Sequence, residues 1–382
     1  MDSEIKDFRH LKTEVQDRNF CGKCGGCVSF CSAGNLGALG VDPEGMPVLV
    51  DESKCLHCGI CYMICPNTYD LDEEVKKKTN WEAPIGQIRD LTSAQTTNPV
   101  VAGRCTDGGV VTSLLIYLLD NHLIDGALVS RSDGPFHRSP MLATTGEEIV
   151  SAAGSHYDES FSVGHLGSHY STYSFTMYEL GKLKAKLIDR VALVGTPCQI
   201  HTIRKMQVLG VIPSDVIKYT FGLFCMENFS FDDLQIHPLS KKYGFELSQI
   251  VKANVKEDFF AYLKDGRVIH IPFEDIDSIA RPACLVCPDF SAEFSDISFG
   301  GLGSPEGYTT ALIRSEKGRW IYRGALTAGY IRERKFGSVQ KAREDWVNQR
   351  SLVVRYSEKK KTRALRGRRT LMGGVIPLSH IH

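Results

Sequence analysis

Cys55-Leu56-His57-Cys58-Gly59-Ile60-Cys61-Tyr62-Met63-Ile64-Cys65-Pro66 has the spacing C-x2-C-x2-C-x3-C-P. A looser copy stands upstream, Cys21-x-x-Cys24-x-x-Cys27-x-x-x-Cys31, with Ser32 where the second run has Pro66. The spacing answers to a cubane of iron and sulfide. Three thiolates two residues apart line a tight loop around one 4Fe–4S cluster, and the fourth cysteine is aimed at the other cluster. The pattern therefore assigns Cys21, Cys24, Cys27 and Cys65 to one cluster, and Cys55, Cys58, Cys61 and Cys31 to a second. Gly22, Gly25, Gly26 and Gly59 suit loops whose amides turn towards inorganic sulfide. Zinc, with four ligands typically in two separated pairs, would leave half of these cysteines over. Disulfides need an oxidising compartment.

Eight of the thirteen cysteines lie in this stretch of a 382-residue chain, long enough for two or three domains. Acidic and basic residues balance at 45 each, so bulk charge points to no partner and not to nucleic acid. The first twenty residues are charged and lack an apolar signal core, and no apolar run reaches the ~20 residues of a membrane span. The expectation is a reducing cytoplasm in an anaerobe, with any membrane link made through a partner.

Residues 39–50 read as a hairpin turning at Asp42-Pro43-Glu44-Gly45. Residues 70–98 read as a linker and the first strand of a new domain. From about residue 100 strands and helices alternate, which predicts an α/β domain with a mixed sheet. Helices are expected over 110–124, 147–153, 175–186, 199–206, 232–242 and 318–328. Strands are expected over 125–130, 141–144, 190–195, 217–224, 259–263, 268–271, 296–299 and 308–314. Residues 158–174, rich in Gly, Ser, His and Tyr, read as a binding loop. The end, 355–369, carries eight Lys or Arg against one Glu, a run that is usually solvated.

Five cysteines remain: Cys105, Cys198, Cys225, Cys284 and Cys287. Cys198 opens a helix, where free amides favour a thiolate, and Cys225 ends a strand. With the Cys284-x-x-Cys287 pair they can make a third 4Fe–4S site. From spacing alone, zinc or buried free thiols remain open. Cys105 reads as a core or loop residue.

DGGVVTSLLIYLLDNHLIDGALV (107–129), VALVGTPCQIHTIRKMQ (191–207), FGLFCMENFSFDDL (221–234), CLVCPDF (284–290) and DISFGGLGSPEGYTTALIRS (296–315) together resemble the family of beta subunits of coenzyme F420-reducing hydrogenases and dehydrogenases. The resemblance implies FAD, a 4Fe–4S cluster on Cys198, Cys225, Cys284 and Cys287, and hydride exchange with coenzyme F420 as substrate. It carries the flavin contacts onto Asp107, Gly108, Gly109 and Thr112, onto Gly154, Ser155, His156 and Tyr157, and onto Gly303, Ser304, Gly307, Tyr308 and Thr309, with Thr196 as a further cofactor residue. His156 stands where hydrogenase-type members often have lysine.

The implied organisation is a two-cluster ferredoxin module of bacterial type over 1–80, and an α/β domain binding FAD and 4Fe–4S over 81–340. A C-terminal helix and basic tail follow over 341–382. Such a fusion resembles the electron-input subunit of F420H2 dehydrogenases and the front half of deazaflavin-dependent sulfite reductases. FAD belongs between a coenzyme that exchanges hydride and clusters that take single electrons. The expected function is an F420-dependent oxidoreductase subunit with three 4Fe–4S clusters and a redox partner protein. Hydride transfer needs no general base, so no catalytic side chain is named. Arg204 and Lys205 are candidates for a basic rim that receives the anionic coenzyme, although such residues more often form a solvated helix face. Two readings from other classes are an electron-wiring subunit without flavin and a zinc-based nucleic-acid module. Within the enzyme class, relatives reduce other ring systems.

Overall fold

The computed structural model describes residues 5–34, 36–43, 45–134, 137–154, 188–229, 233–255 and 258–371. The expected loop 158–174 and helix 175–186, together with Ser155, His156 and Tyr157, lie outside them.

The cysteine-rich segment folds around its own small core. Gly25 and Gly59 take left-handed φ values of 78° and 75° directly before helices Gly26–Ala33 and Ile60–Met63. A side chain at Gly59 would strike the Lys6 carbonyl at 2.9 Å, so glycine is needed there for space as well as for its φ. The hairpin pairs β1 (Leu39–Val41) with β2 (Pro47–Leu49). Phe8, Leu11, Val15 and Phe20 from the lead-in pack with Val28, Leu39 and Tyr62. The stretch read as linker contains a helix, Asp72–Lys78, that carries acids in its first turn and lysines in its last, matching the helix dipole.

The second part is built on an eight-stranded mixed sheet. Its centre is parallel: β4 (Gly126–Gly134), β6 (Val191–Gly195), β7 (Ile217–Leu223) and β11 (Ile297–Gly300). Antiparallel strands flank it, β5 (His137–Ala143) beyond β4, and β12 (Thr309–Ile313), β3 (Asp90–Thr96) and β13 (Ile331–Glu333) beyond β11. Where helices cover both faces, the central strands carry apolar residues on both, as in Val191–Gly195. Ala127, Ala192, Phe221 and Ile297 face helices Val110–Asp120 and Glu316–Thr327. Leu128, Val191, Leu193 and Ile217 face the other way, onto Ile200, Ile203 and Met206 of helix Pro197–Leu209.

That second core also takes in Ile64 and Val75, so apolar packing runs without a break from the cysteine-rich segment into the sheet. A separate antiparallel sheet, β8 (Ile250–Val255), β9 (Phe259–Leu263) and β10 (Val268–Ile271), joins Leu91, Leu312 and Val353 in a further core. The basic C-terminal run is not a solvated tail. It lies within a 33-residue helix, Val339–Leu371, that buries Lys360, Ala364 and Arg368. Among the described residues no helix is long and apolar enough to cross a membrane.

Candidate functional site

Two voids open inside the cysteine-rich segment. One, of about 410 Å³ with its open mouth counted, is lined by Cys21, Cys24, Cys27 and Cys65. The other, about 360 Å³, is lined by Cys31, Cys55, Cys58 and Cys61. Each takes three thiols from one run and the fourth from the other. Burial pushes the Cys21 thiol up to about 11, and mutual repulsion with Cys24 adds to it. Burial pushes Cys61 up to about 12, with Cys58 and Cys55 acting in the same direction. Crowded, desolvated sulfurs of this kind become thiolates only when a cation withdraws their charge, and that donor chemistry fits iron–sulfur clusters. Among the described residues no group of three or more His, Cys, Asp or Glu converges on a single metal-ion position.

Sheet topology assembles the third sulfur set. Strands β6 and β7 run parallel with Gly195 opposite Gly222, so the segments following them, with Cys198 and Cys225, leave the sheet side by side. Cys198 sits in the first turn of its helix behind Pro197, and Thr196 and Gln199 form a capping box. Cys225 N donates to Phe290 O, and Arg281 N to Asn228 O at 2.9 Å, which ties the strand end to the Cys284–Cys287 turn. Asn228 N donates to Cys284 Sγ at 3.3 Å. Burial pushes the Cys225 thiol up to about 12; Lys360 opposes this, and Cys284 and Cys287 reinforce it. Burial likewise raises Cys198 far above an ordinary thiol, helped by Cys287, Cys24 and Cys225. Cys225 thus lies within range of the charge of Cys284 and Cys287, and Cys198 within range of that of Cys287 and Cys225.

The first void and the third set almost touch. A Cβ on Gly22 would stand 3.9 Å from Cys198 Sγ. Cys24 Sγ lies 3.4 Å from Thr202 Oγ1, which donates to Cys198 O at 2.9 Å. The second void lies on the outer side, beside Leu56 and Asp7, with Cys58 exposed.

Lys205, expected on a basic rim or a solvated helix face, is fully buried; its Nζ donates to Cys65 O at 2.9 Å and lies 2.8 Å from Asp72 Oδ1. Arg204 is tied to Phe294 O, Thr220 and Asp296. Neither cation is free to receive a coenzyme. Both instead fasten the helix that carries Cys198.

Two of the resemblance-derived flavin segments, 107–109 and 303–309, meet at the same end of the sheet. Gly108 N donates to Thr309 Oγ1 at 2.9 Å, and a Cβ on Gly108 would strike Ala94 O at 2.4 Å. A Cβ on Gly301 would stand 2.7 Å from the Asp107 carboxylate. Gly109, at φ 68°, opens helix Val110–Asp120 without any side-chain cap. Its first-turn amides point out at the sheet end, which suits a phosphate. Helix Gly146–Ser151 ends at Ala152, before the expected stop at Gly154, which follows at φ 80°, and Gly307 occupies an exposed turn at φ 76°, with Tyr308 N bonded to Pro305 O.

Other members of that group serve different ends. Ser304 Oγ is already bonded to Ser93 Oγ at 2.7 Å and Thr310 Oγ1 at 2.6 Å, so it braces the loop. Thr112 is buried. Thr196 Oγ1 lies 3.3 Å from Cys198 Sγ, with the sulfurs. Cys105 Sγ donates to Asp107 O at 2.9 Å, apart from all three sets. Asp72, Thr202 and Lys360 were missed by reading the sequence, and Lys205 was given a different role. For Asp72 the signal was present, as acids followed four residues later by lysines mark a helix.

Comparison with known proteins adds the following. Residues 91–166 and 188–338 match the N-terminal and C-terminal parts of the coenzyme F420 hydrogenase/dehydrogenase beta subunit, and residues 47–71 match a 4Fe–4S binding domain. The chain is 31% identical over 262 residues to the coenzyme F420 hydrogenase beta subunit of Methanococcus voltae, covering 67% of this chain and 88% of that one. It is 28% identical to a subunit of the F420H2 dehydrogenase of Methanosarcina mazei, covering 80% and 82%. It is 29% identical to the coenzyme F420-dependent sulfite reductase of Methanocaldococcus jannaschii, covering 81% of this chain but 46% of that protein. A chain of the F420-reducing [NiFe] hydrogenase complex from Methanosarcina barkeri superposes with a TM-score of 0.63 at 27% identity, over 75% of this chain and 93% of that one.

Proposed function

The chain belongs to the family of coenzyme F420 hydrogenase/dehydrogenase beta subunits, and on that premise we propose that it exchanges hydride with coenzyme F420 through FAD and relays single electrons through three 4Fe–4S clusters to or from a partner protein. As a family member with an iron–sulfur domain it is an electron-transferring component of an oxidoreductase. Bound FAD would supply the junction between paired electrons arriving as hydride and carriers that hold one at a time. Asp107, Gly108 and Gly109, the amides opening helix Val110–Asp120, and the turn through Gly303 and Gly307 would hold it. Cys198, Cys225, Cys284 and Cys287 would hold one cluster; Cys21, Cys24, Cys27 and Cys65 a second; Cys31, Cys55, Cys58 and Cys61 a third.

The observation that carries this reading is the succession of sulfur sets. The set on Cys198 stands where the loops of the sheet end converge, the first void abuts it through Gly22 and Thr202, and the second void reaches the surface at Cys58. That order gives a direction from an enclosed sheet end to an exposed rim. The protein residues contribute position and desolvation: they hold the buried sulfurs in fixed, water-poor sites so that little reorganises when charge moves.

Anaerobic protein replete in iron and flavin, mixed with reduced coenzyme F420 and a viologen dye, should reduce the dye. No dye reduction by such a sample overturns the proposal. Release of flavin on denaturation separates this reading from an electron-wiring subunit, which would yield none.

A further inference from the structure

Helix Val339–Leu371 lies beyond residue 338, where the family match ends. Its buried stripe, Gln349, Val353, Ser357, Lys360, Ala364 and Arg368, is at most 5% exposed. The stripe rests on the backbone that presents Cys225, Cys284 and Cys287. At Gly367 a Cβ would meet Leu285 O at 2.6 Å, so only glycine allows this approach. Arg368 Nε donates to Val286 O at 3.0 Å, and Arg363 pairs with Glu227 while donating to Met226 O at 2.9 Å.

Lys360 differs from its neighbours. Lys361 and Arg363 are ion-paired with Glu293 and Glu227, whereas Lys360, at 1% exposure, is held by the Cys225 carbonyl. The groups whose negative charge reaches it are the sulfurs of Cys287, Cys225 and Cys284, with Asp289 beside them. A buried ammonium costs several kcal/mol unless negative charge faces it. A 4Fe–4S cluster on four thiolates is an anion in both redox states and gains one more negative charge on reduction.

We propose that Lys360 is a fixed positive charge that raises the reduction potential of the cluster held by Cys198, Cys225, Cys284 and Cys287. The step is simple: the oxidised cluster takes one electron from an external reductant, no proton moves, and Lys360 stays charged throughout. The inference rests on the third cluster assigned above. It makes the C-terminal helix an electrostatic part of the electron path, acting on the cluster without ligating it.

The test is a potentiometric titration, followed by electron paramagnetic resonance, of the whole protein prepared anaerobically. In Lys360→Met the third cluster should become at least about tenfold harder to reduce, 59 mV for a one-electron couple. The other two clusters should keep their potentials and serve as internal references. Lys360→Arg, which retains the charge, should stay near the wild type. Glu227→Gln leaves Arg363 unbalanced beside the same loop and should shift the same signal upward. A third signal at the wild-type potential in Lys360→Met, with iron content intact, overturns the proposal. If Lys360→Met fails to load iron, absence of the upward shift in Glu227→Gln overturns it instead. Wild-type protein with only two cluster signals and about eight irons would sink the cluster assignment itself, a distinguishable result.

Discussion

The cysteine-rich segment and the sheet domain gather sulfurs in opposite ways. In the first, eight cysteines between Cys21 and Cys65 reach two voids through loops only a few residues long. In the second, Cys198, Cys225, Cys284 and Cys287 are brought together by the parallel pairing of β6 with β7 and by the bond of Cys225 N to Phe290 O. Local loops build a site that survives transplantation between folds. A site at a sheet end exists only when the strands are in register.

The largest effect that could break this comparison concerns Cys65. Although it belongs to the second run, it lines the void of the first. Cys65→Ser and Cys24→Ser should perturb the same cluster signal and cost about four irons each, while Cys31→Ser and Cys58→Ser should perturb the other. If Cys65→Ser tracks Cys58→Ser instead, each run holds its own cluster and the crossing is wrong.

A second, smaller effect probes how the two regions are joined. Asp72, on the helix leaving the cysteine-rich segment, faces Lys205 and His201 on the helix that carries Cys198. Asp72→Asn leaves Lys205 buried and uncompensated, and should destabilise the folded protein by roughly 3–5 kcal/mol in denaturant titrations. Burial opposes ionisation of Asp72, yet the hydrogen bond and charge of His201 and the charge of Lys205 hold its carboxyl well below the usual carboxylate range. The stability it contributes is therefore present above about pH 4 and lost as pH falls towards its folded value. The gap between wild type and Asp72→Asn should narrow in acid. A gap that widens there contradicts the pairing.

The smallest effect sharpens the contact itself. A Cβ on Gly26 would meet Thr202 Cγ2 at 2.2 Å. Gly26→Ala should cost about 1–3 kcal/mol through overpacking, and Thr202→Ser in the same chain should recover much of it. Recovery no better than additive would place the two residues further apart than described.

The same contrast explains what the sequence revealed. Which thiols share each ferredoxin-type void could be read from spacing, because the ligand loops are short. The hairpin pairing Leu39 with Leu49, and strands Phe259–Leu263 and Val268–Ile271, were legible from turn residues and alternation. The mixed sheet was legible from apolar strands such as 191–195 alternating with helices.

The C-terminal helix was expected within 341–382, but its burial was not legible. Its buried stripe has helical spacing, but Gln349, Ser357, Lys360 and Arg368 stand where apolar residues are sought, so the pattern looks like a charge run. The Cys225 carbonyl, the facing sulfurs and Asp289 account for a lysine inside this core. Lys205 was misread for the same reason, since its partners Asp72 and Cys65 are distant in sequence. Nor could spacing order the sulfur sets, because the approach of Gly22 to Cys198 depends on how the two regions dock.

Quantifying iron and flavin in protein purified without oxygen tests the whole scheme most directly. Three cubanes and one FAD predict about twelve iron atoms and one flavin per chain. A fully folded preparation holding about eight irons, or none of the flavin, would contradict it.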